Sequence, residues 1–88
     1  MRVIYKYQID LAPRTDIEMP YGAKILTVGR QDGKLMLWAE IDANNLMAKR
    51  IIWLIGTGWS AACSEHCPYI GTIFDGDFVW HIYDGGWG

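Results

Sequence analysis

Asp32-Gly33 restricts this chain more than any other feature, because both residues accept the positive φ of a two-residue type I′ turn and they sit between two mostly apolar runs. The pair specifies a β-hairpin within Met19 to Ile41 and, with it, a register: Gln31 opposite Lys34, Val28 opposite Leu37, Leu26 opposite Ala39 and Lys24 opposite Ile41. One face then carries Leu26, Val28, Leu35, Leu37, Ala39 and Ile41, and is the expected core face. The other carries Ile25, Thr27, Gly29, Met36, Trp38 and Glu40. That face is too apolar for ordinary solvated surface, so it is expected to lie under the remaining strands or another subunit. Pro20 and Gly22 place the start of the first hairpin strand near Ala23.

The rest of the chain repeats the same grammar. Val3, Tyr5 and Tyr7 alternate with Ile4 and Lys6, a period-two strand that could extend to Ile9. Thr15 to Met19 alternates again and is stopped by Pro20. Asp42 to Lys49 is polar and reads as a loop or one helical turn, whereas Arg50 to Ile55 is apolar on both alternating faces, as in a central strand. A second Asp-Gly pair, Asp75-Gly76, predicts a hairpin over Tyr69 to Tyr83 with Ile73 opposite Phe78, Gly71 opposite Trp80 and Tyr69 opposite Ile82. The expected fold is an all-β antiparallel domain of five to six short strands, a curled sheet, small sandwich or barrel. Residues 1–83 form that single domain, and 84–88 read as a flexible Gly-rich tail.

Composition removes some function classes. A net charge of -2 without a basic cluster lacks the electrostatic footprint of a nucleic-acid binder. No apolar run is long enough for a membrane span, and Met1 to Tyr7 lacks the features of a signal peptide, so a cytosolic protein with reduced cysteines is expected. Five Trp and five Tyr are the compositional excess, and such aromatics serve cores, interfaces and ligand walls alike.

Met19-Pro20-Tyr21-Gly22-Ala23-Lys24-Ile25-Leu26, Leu37-Trp38-Ala39-Glu40-Ile41-Asp42, Gly56-Thr57-Gly58 and Tyr69-Ile70-Gly71-Thr72, in that order and spacing, resemble a family of small proteins of unassigned function encoded by bacteriophages and prophages. The likeness covers nearly the whole chain. It implies a compact β domain expressed in the cytoplasm of an infected bacterium, and it carries over no activity and no catalytic residue. The Cys63 to Cys67 loop and the Trp87 tail depart from that pattern.

Candidate chemistry is sparse. Cys63, His66 and Cys67 are soft ligands within five residues, but a structural zinc site needs four, and only His81 or a carboxylate could complete it. The same residues lack the flanks of a thiol enzyme, so neither a catalytic set nor a cofactor is expected. His81 reads as a satisfied strand histidine. Gly56-Thr57-Gly58 lacks the lysine and following helix of a phosphate loop, yet with Trp59 and with Arg50 on the strand leading in it could line a small nucleotide pocket. Trp59 and Trp87, in loop and tail, with Trp38 and Met36 on the unexplained hairpin face, are the candidate partner-binding residues. The expected function is a non-enzymatic phage protein that binds a host bacterial protein, as an inhibitor of a defence system. The alternatives are a homo-oligomer that sequesters a nucleotide signal and a small virion or assembly component.

Overall fold

A computed structural model describes residues 1–88 and contains seven strands: β1 (Arg2–Gln8), β2 (Arg14–Pro20), β3 (Lys24–Gln31), β4 (Lys34–Asp42), β5 (Met47–Gly56), β6 (Tyr69–Asp75) and β7 (Phe78–Trp87). A single 3-10 turn, Ala62–Glu65, interrupts the loop before β6. All pairings are antiparallel, in a three-stranded sheet of order β1-β4-β3 and a four-stranded sheet of order β2-β5-β7-β6. No helix is long and apolar enough to cross a membrane.

The two sheets face each other as a sandwich. Leu35, Leu37, Ala39 and Ile41 of β4 meet Ile17 and Met19 of β2, Ile52 and Leu54 of β5, Ile73 of β6, and Trp80 and Ile82 of β7 in one buried cluster. β2, β4, β5 and β7 contribute alternate residues to it, as a pleated ribbon with one wet face must, while β1 and β3 add partly buried Val3, Tyr7, Ile25 and Val28 at its margin. The sheets come together along a seam between β3 and β6, where Gly71 lets Val28 lie against the β6 backbone: a Cβ there would stand 3.0 Å from Val28 Cγ2. Arg30 and Asp75 pair across the same seam at 3.2 Å.

The first hairpin turns where expected. Asp32 (φ 53°) and Gly33 (φ 75°) both adopt positive φ, and Gln31 faces Lys34. The register holds to Thr27 opposite Trp38 and then breaks, because Leu26 forms a bulge: Ile25 faces Ala39 and Lys24 faces Glu40. One extra residue flips the sides. Ile25 therefore packs against the core, and Leu26, expected inside, is exposed.

The second hairpin turns one residue later than the sequence suggests. Gly76 (φ 59°) and Asp77 are its central pair, with glycine at the first central position as a type II′ turn requires. Ile73 consequently faces Trp80, not Phe78, and Gly71 faces Ile82, not Trp80. The slip moves the pairing by two positions, so the side chains from Gly71 to Ile82 keep their expected faces; before them the extra residue Ile70 packs against the core and turns Tyr69 out to solvent.

Two boundaries also shift. β5 begins at Met47 because β2 extends its ladder to the pair Pro20 and Met47, which draws the last three residues of the expected loop, Met47 to Lys49, into the sheet. Asp84 to Trp87, expected as a tail, belong to β7. They gain ladder partners there, Asp84 opposite Ile52 and Trp87 opposite Arg50.

Candidate functional site

All three register shifts in the molecule surround one cavity. Leu26 is the extra residue of β3, Ile70 that of β6, and Gly85 with Gly86 are the extra residues of β7 opposite Ile51. The cavity has a volume of about 430 Å³. Ala23 to Leu26 form one wall, Pro68 to Ile70 the other, and Arg50 and Asp84 lie between them. Bulges bend strands and re-aim side chains, so their convergence opens the sandwich at this point.

Arg50 stands on the inner side of β5, opposite Ile17 and Trp87, where the core runs out. Its Nε and Nη2 donate to Asp84 Oδ1 and Oδ2 at 2.9 and 2.6 Å, and its Nη1 donates to the Ala23 carbonyl at 2.9 Å. The Trp87 ring lies 4.5 Å from the guanidinium and packs in turn on Tyr21. Both charged side chains are largely buried, at 11% and 15% exposure. Burial alone would raise the Asp84 carboxyl, but the Arg50 hydrogen bonds, the Gly86 N–H and the Arg50 charge outweigh it and hold Asp84 below the usual carboxylate range.

The two glycines make this geometry possible for different reasons. A Cβ on Gly85 would stand 2.7 Å from both Ile51 Cγ2 and Trp53 Nε1, so only hydrogen fits beneath those side chains. Gly86 meets nothing, but its φ of 79° is the left-handed conformation that glycine adopts freely.

The Gly56 to Trp59 turn lies at the other end of β5, six residues and roughly 20 Å from Arg50. The expected nucleotide pocket is therefore not assembled: the structure does not bring Arg50 to Gly56, Thr57, Gly58 and Trp59. Gly56 is a glycine because the Trp59 indole lies on it, with ring atoms 2.8 to 3.0 Å from where a Cβ would be. Trp59 meets Trp80 edge to face at 5.6 Å, and Phe78 stacks on Trp80 at 5.5 Å. Trp59 and Phe78 thus cap the core while remaining 51% and 61% exposed. Thr57 turns outward and bonds His81 Nε2 at 2.8 Å, while His81 Nδ1 meets Thr72 Oγ1 at 3.2 Å and Thr72 in turn meets the Tyr69 hydroxyl. Both imidazole nitrogens are thereby occupied, the satisfied strand histidine that the sequence suggests.

The remaining candidates separate. Trp87 is not a free anchor; it packs against the core and Arg50. Met36 and Trp38 lie on the outer face of the three-stranded sheet, which no other part of the chain covers, contrary to the expected cover by its own strands. Trp38 lies against Gly29, its Cζ3 3.5 Å from where a Cβ would be, and Lys6 reaches across β4 to Gln31 at 2.7 Å, so the face is a charged and aromatic surface. Cys63 lies in the 3-10 turn and His66 and Cys67 follow it, and no three His, Cys, Asp or Glu side chains are grouped to hold an ion. Burial, followed by the neighbouring Cys67, pushes the Cys63 thiol up, which works against a nucleophilic role.

The cavity's signal, a set of bulges, is one that sequence reasoning missed. Gly85-Gly86 was its visible part, since paired glycines inside a strand accompany bulges as readily as they make a tail.

Among protein families, one described as "Domain of unknown function (DUF7352)" matches residues 1–86. No curated protein and no solved structure matches the chain.

Proposed function

We propose that this protein, which belongs to the DUF7352 family, is a non-enzymatic binding protein whose contact surface is the aromatic cap of Trp59 and Phe78 over Trp80. The carrying observation is that two large rings are more than half exposed and yet held by ring contacts to a buried third. Rings ordered in advance give a partner large apolar area at little entropic cost, which is how the strongest interface residues act. The resemblance to phage-encoded proteins supports a host bacterial protein as the partner, the host cytoplasm as the place and inhibition of a defence protein as the action.

The test is capture from lysates of infected bacteria with wild-type, Trp59→Ser and Trp38→Ala baits, each checked for folding by thermal melt. A host protein retained by wild type and Trp38→Ala but lost from Trp59→Ser is the expected result. A partner that Trp59→Ser still retains, or that Trp38→Ala also loses, refutes this surface.

A further inference from the structure

We infer that the cavity between β3 and β6 binds a small anionic ligand, a phosphate or carboxylate carried on an apolar or planar body. The cavity lies at the opposite end of β5 from the aromatic cap, and the inference is independent of the cap's role.

The first observation is geometric. A sandwich of this size needs no interruption of its ladders to bury its core, yet its three register shifts all converge on one opening. The volume, about 430 Å³, lies within the span of small-ligand pockets.

The second observation concerns unspent hydrogen-bonding capacity. Asp84 is nearly committed, with three of its roughly four acceptor sites used: Oδ1 accepts from Arg50 Nε and Gly86 N–H, and Oδ2 accepts from Arg50 Nη2. Arg50 uses three of its five N–H donors on Asp84 and the Ala23 carbonyl. Two donors remain, on a guanidinium held rigid by its ion pair and by the Trp87 ring. Lys24 adds a second positive charge at the rim, against the single charge of Asp84. The site therefore offers donors and net positive potential, which selects an anion over a cation. Ile25, Leu26 and Ile70 supply the apolar part of the wall, which selects a ligand with a body over a bare ion.

Phenyl phosphate and benzoate are the probes, with inorganic phosphate and benzyl alcohol as the charge-only and body-only controls. Each is titrated at matched ionic strength into the ¹⁵N-labelled full chain, with amide shifts followed. Saturable shifts at Lys24, Leu26, Ile70 and Asp84 with either anionic aromatic, and weaker or no saturation with both controls, are expected. Lys24→Glu, a change at an exposed position that leaves the fold intact by thermal melt, should weaken binding roughly five- to tenfold by reversing a rim charge. Saturation by phenyl phosphate alone or by benzoate alone identifies which anion the site takes. Three results would overturn the inference: no saturable shift at these amides, equal response to benzyl alcohol, or unchanged binding in Lys24→Glu.

Discussion

Replacing Arg50 by Met keeps much of the stem that packs beside Trp87 but strands Asp84 as a buried carboxylate. Asp84 loses both guanidinium donors and keeps only the Gly86 N–H. With side-chain exposures of 11% and 15%, the pair belongs with buried ion pairs. Removing one partner of such a pair costs about 3–5 kcal/mol, because the other is left uncompensated. A domain of this length has roughly 4–13 kcal/mol to lose, so Arg50→Met should lower the melting temperature by at least about 12 °C at pH 7. The double variant Arg50→Met with Asp84→Leu removes both charges, and should recover more than half of that loss. The folded Asp84 carboxyl lies below its ordinary 3.8, so its stabilising contribution is complete above that value and disappears as the pH falls through the folded value. Urea melts of the wild type, the two single variants Arg50→Met and Asp84→Leu, and the double variant from pH 7 to pH 2.5 measure this directly. The double variant should lack the part of the acid destabilisation that belongs to Asp84. A loss below about 1 kcal/mol for Arg50→Met, or a double variant whose loss is the sum of the singles, would refute the assignment of this pair as a buried, coupled one.

Other substitutions test separate contacts. Gly85→Ala should cost about 1–3 kcal/mol by collision with Ile51 and Trp53, and Gly86→Ala about 1–2 kcal/mol by backbone strain alone; adding Ile51→Ala should relieve only part of the first, since the Trp53 contact remains, and leave the second, as measured in urea. Trp87→Ala should destabilise by roughly 2–3 kcal/mol, and Trp38→Ala, on the uncovered face, by less than about 1 kcal/mol, read by thermal melts. The raised Cys63 thiol should alkylate with iodoacetamide at pH 7 more slowly than an unstructured cysteine peptide, followed by mass spectrometry; an equal or faster rate contradicts its burial.

The parts of this fold that local chemistry dictates could be read from the residues. Asp32-Gly33 has one low-strain use between two apolar runs, and it was enough to set the pairing down to Thr27 and Trp38. β5 could likewise be recognised as central, because its alternation is apolar on both sides. Leu26 could not be recognised as a bulge. Its neighbours have the same hydrophobicity in either register, and what selects the bulged one is the approach of β6 across the seam, which comes from far along the chain. Asp75-Gly76-Asp77 offers two turns of similar quality, and the choice between them rests on Trp80 meeting Ile73 in the core. The site was the least visible part. Arg50 was identified as a functional candidate but attached to the wrong end of its own strand, since Asp84 and Trp87 looked like tail residues, Trp87 as a free anchor for a partner.

The first twenty residues supply one edge strand to each sheet: β1 hydrogen-bonds only to β4, and β2 only to β5. They act as a clasp. The hairpins β3–β4 and β6–β7 can close as soon as their turns form, whereas β1 waits for a partner about thirty residues downstream. Release of this arm at Tyr21-Gly22 bares an edge on both sheets at once, so the slow step of refolding and the fastest amide exchange should both fall on the same short stretch of chain. A second molecule could supply the missing arm through the same opening, which makes strand exchange the expected failure of this fold at high concentration.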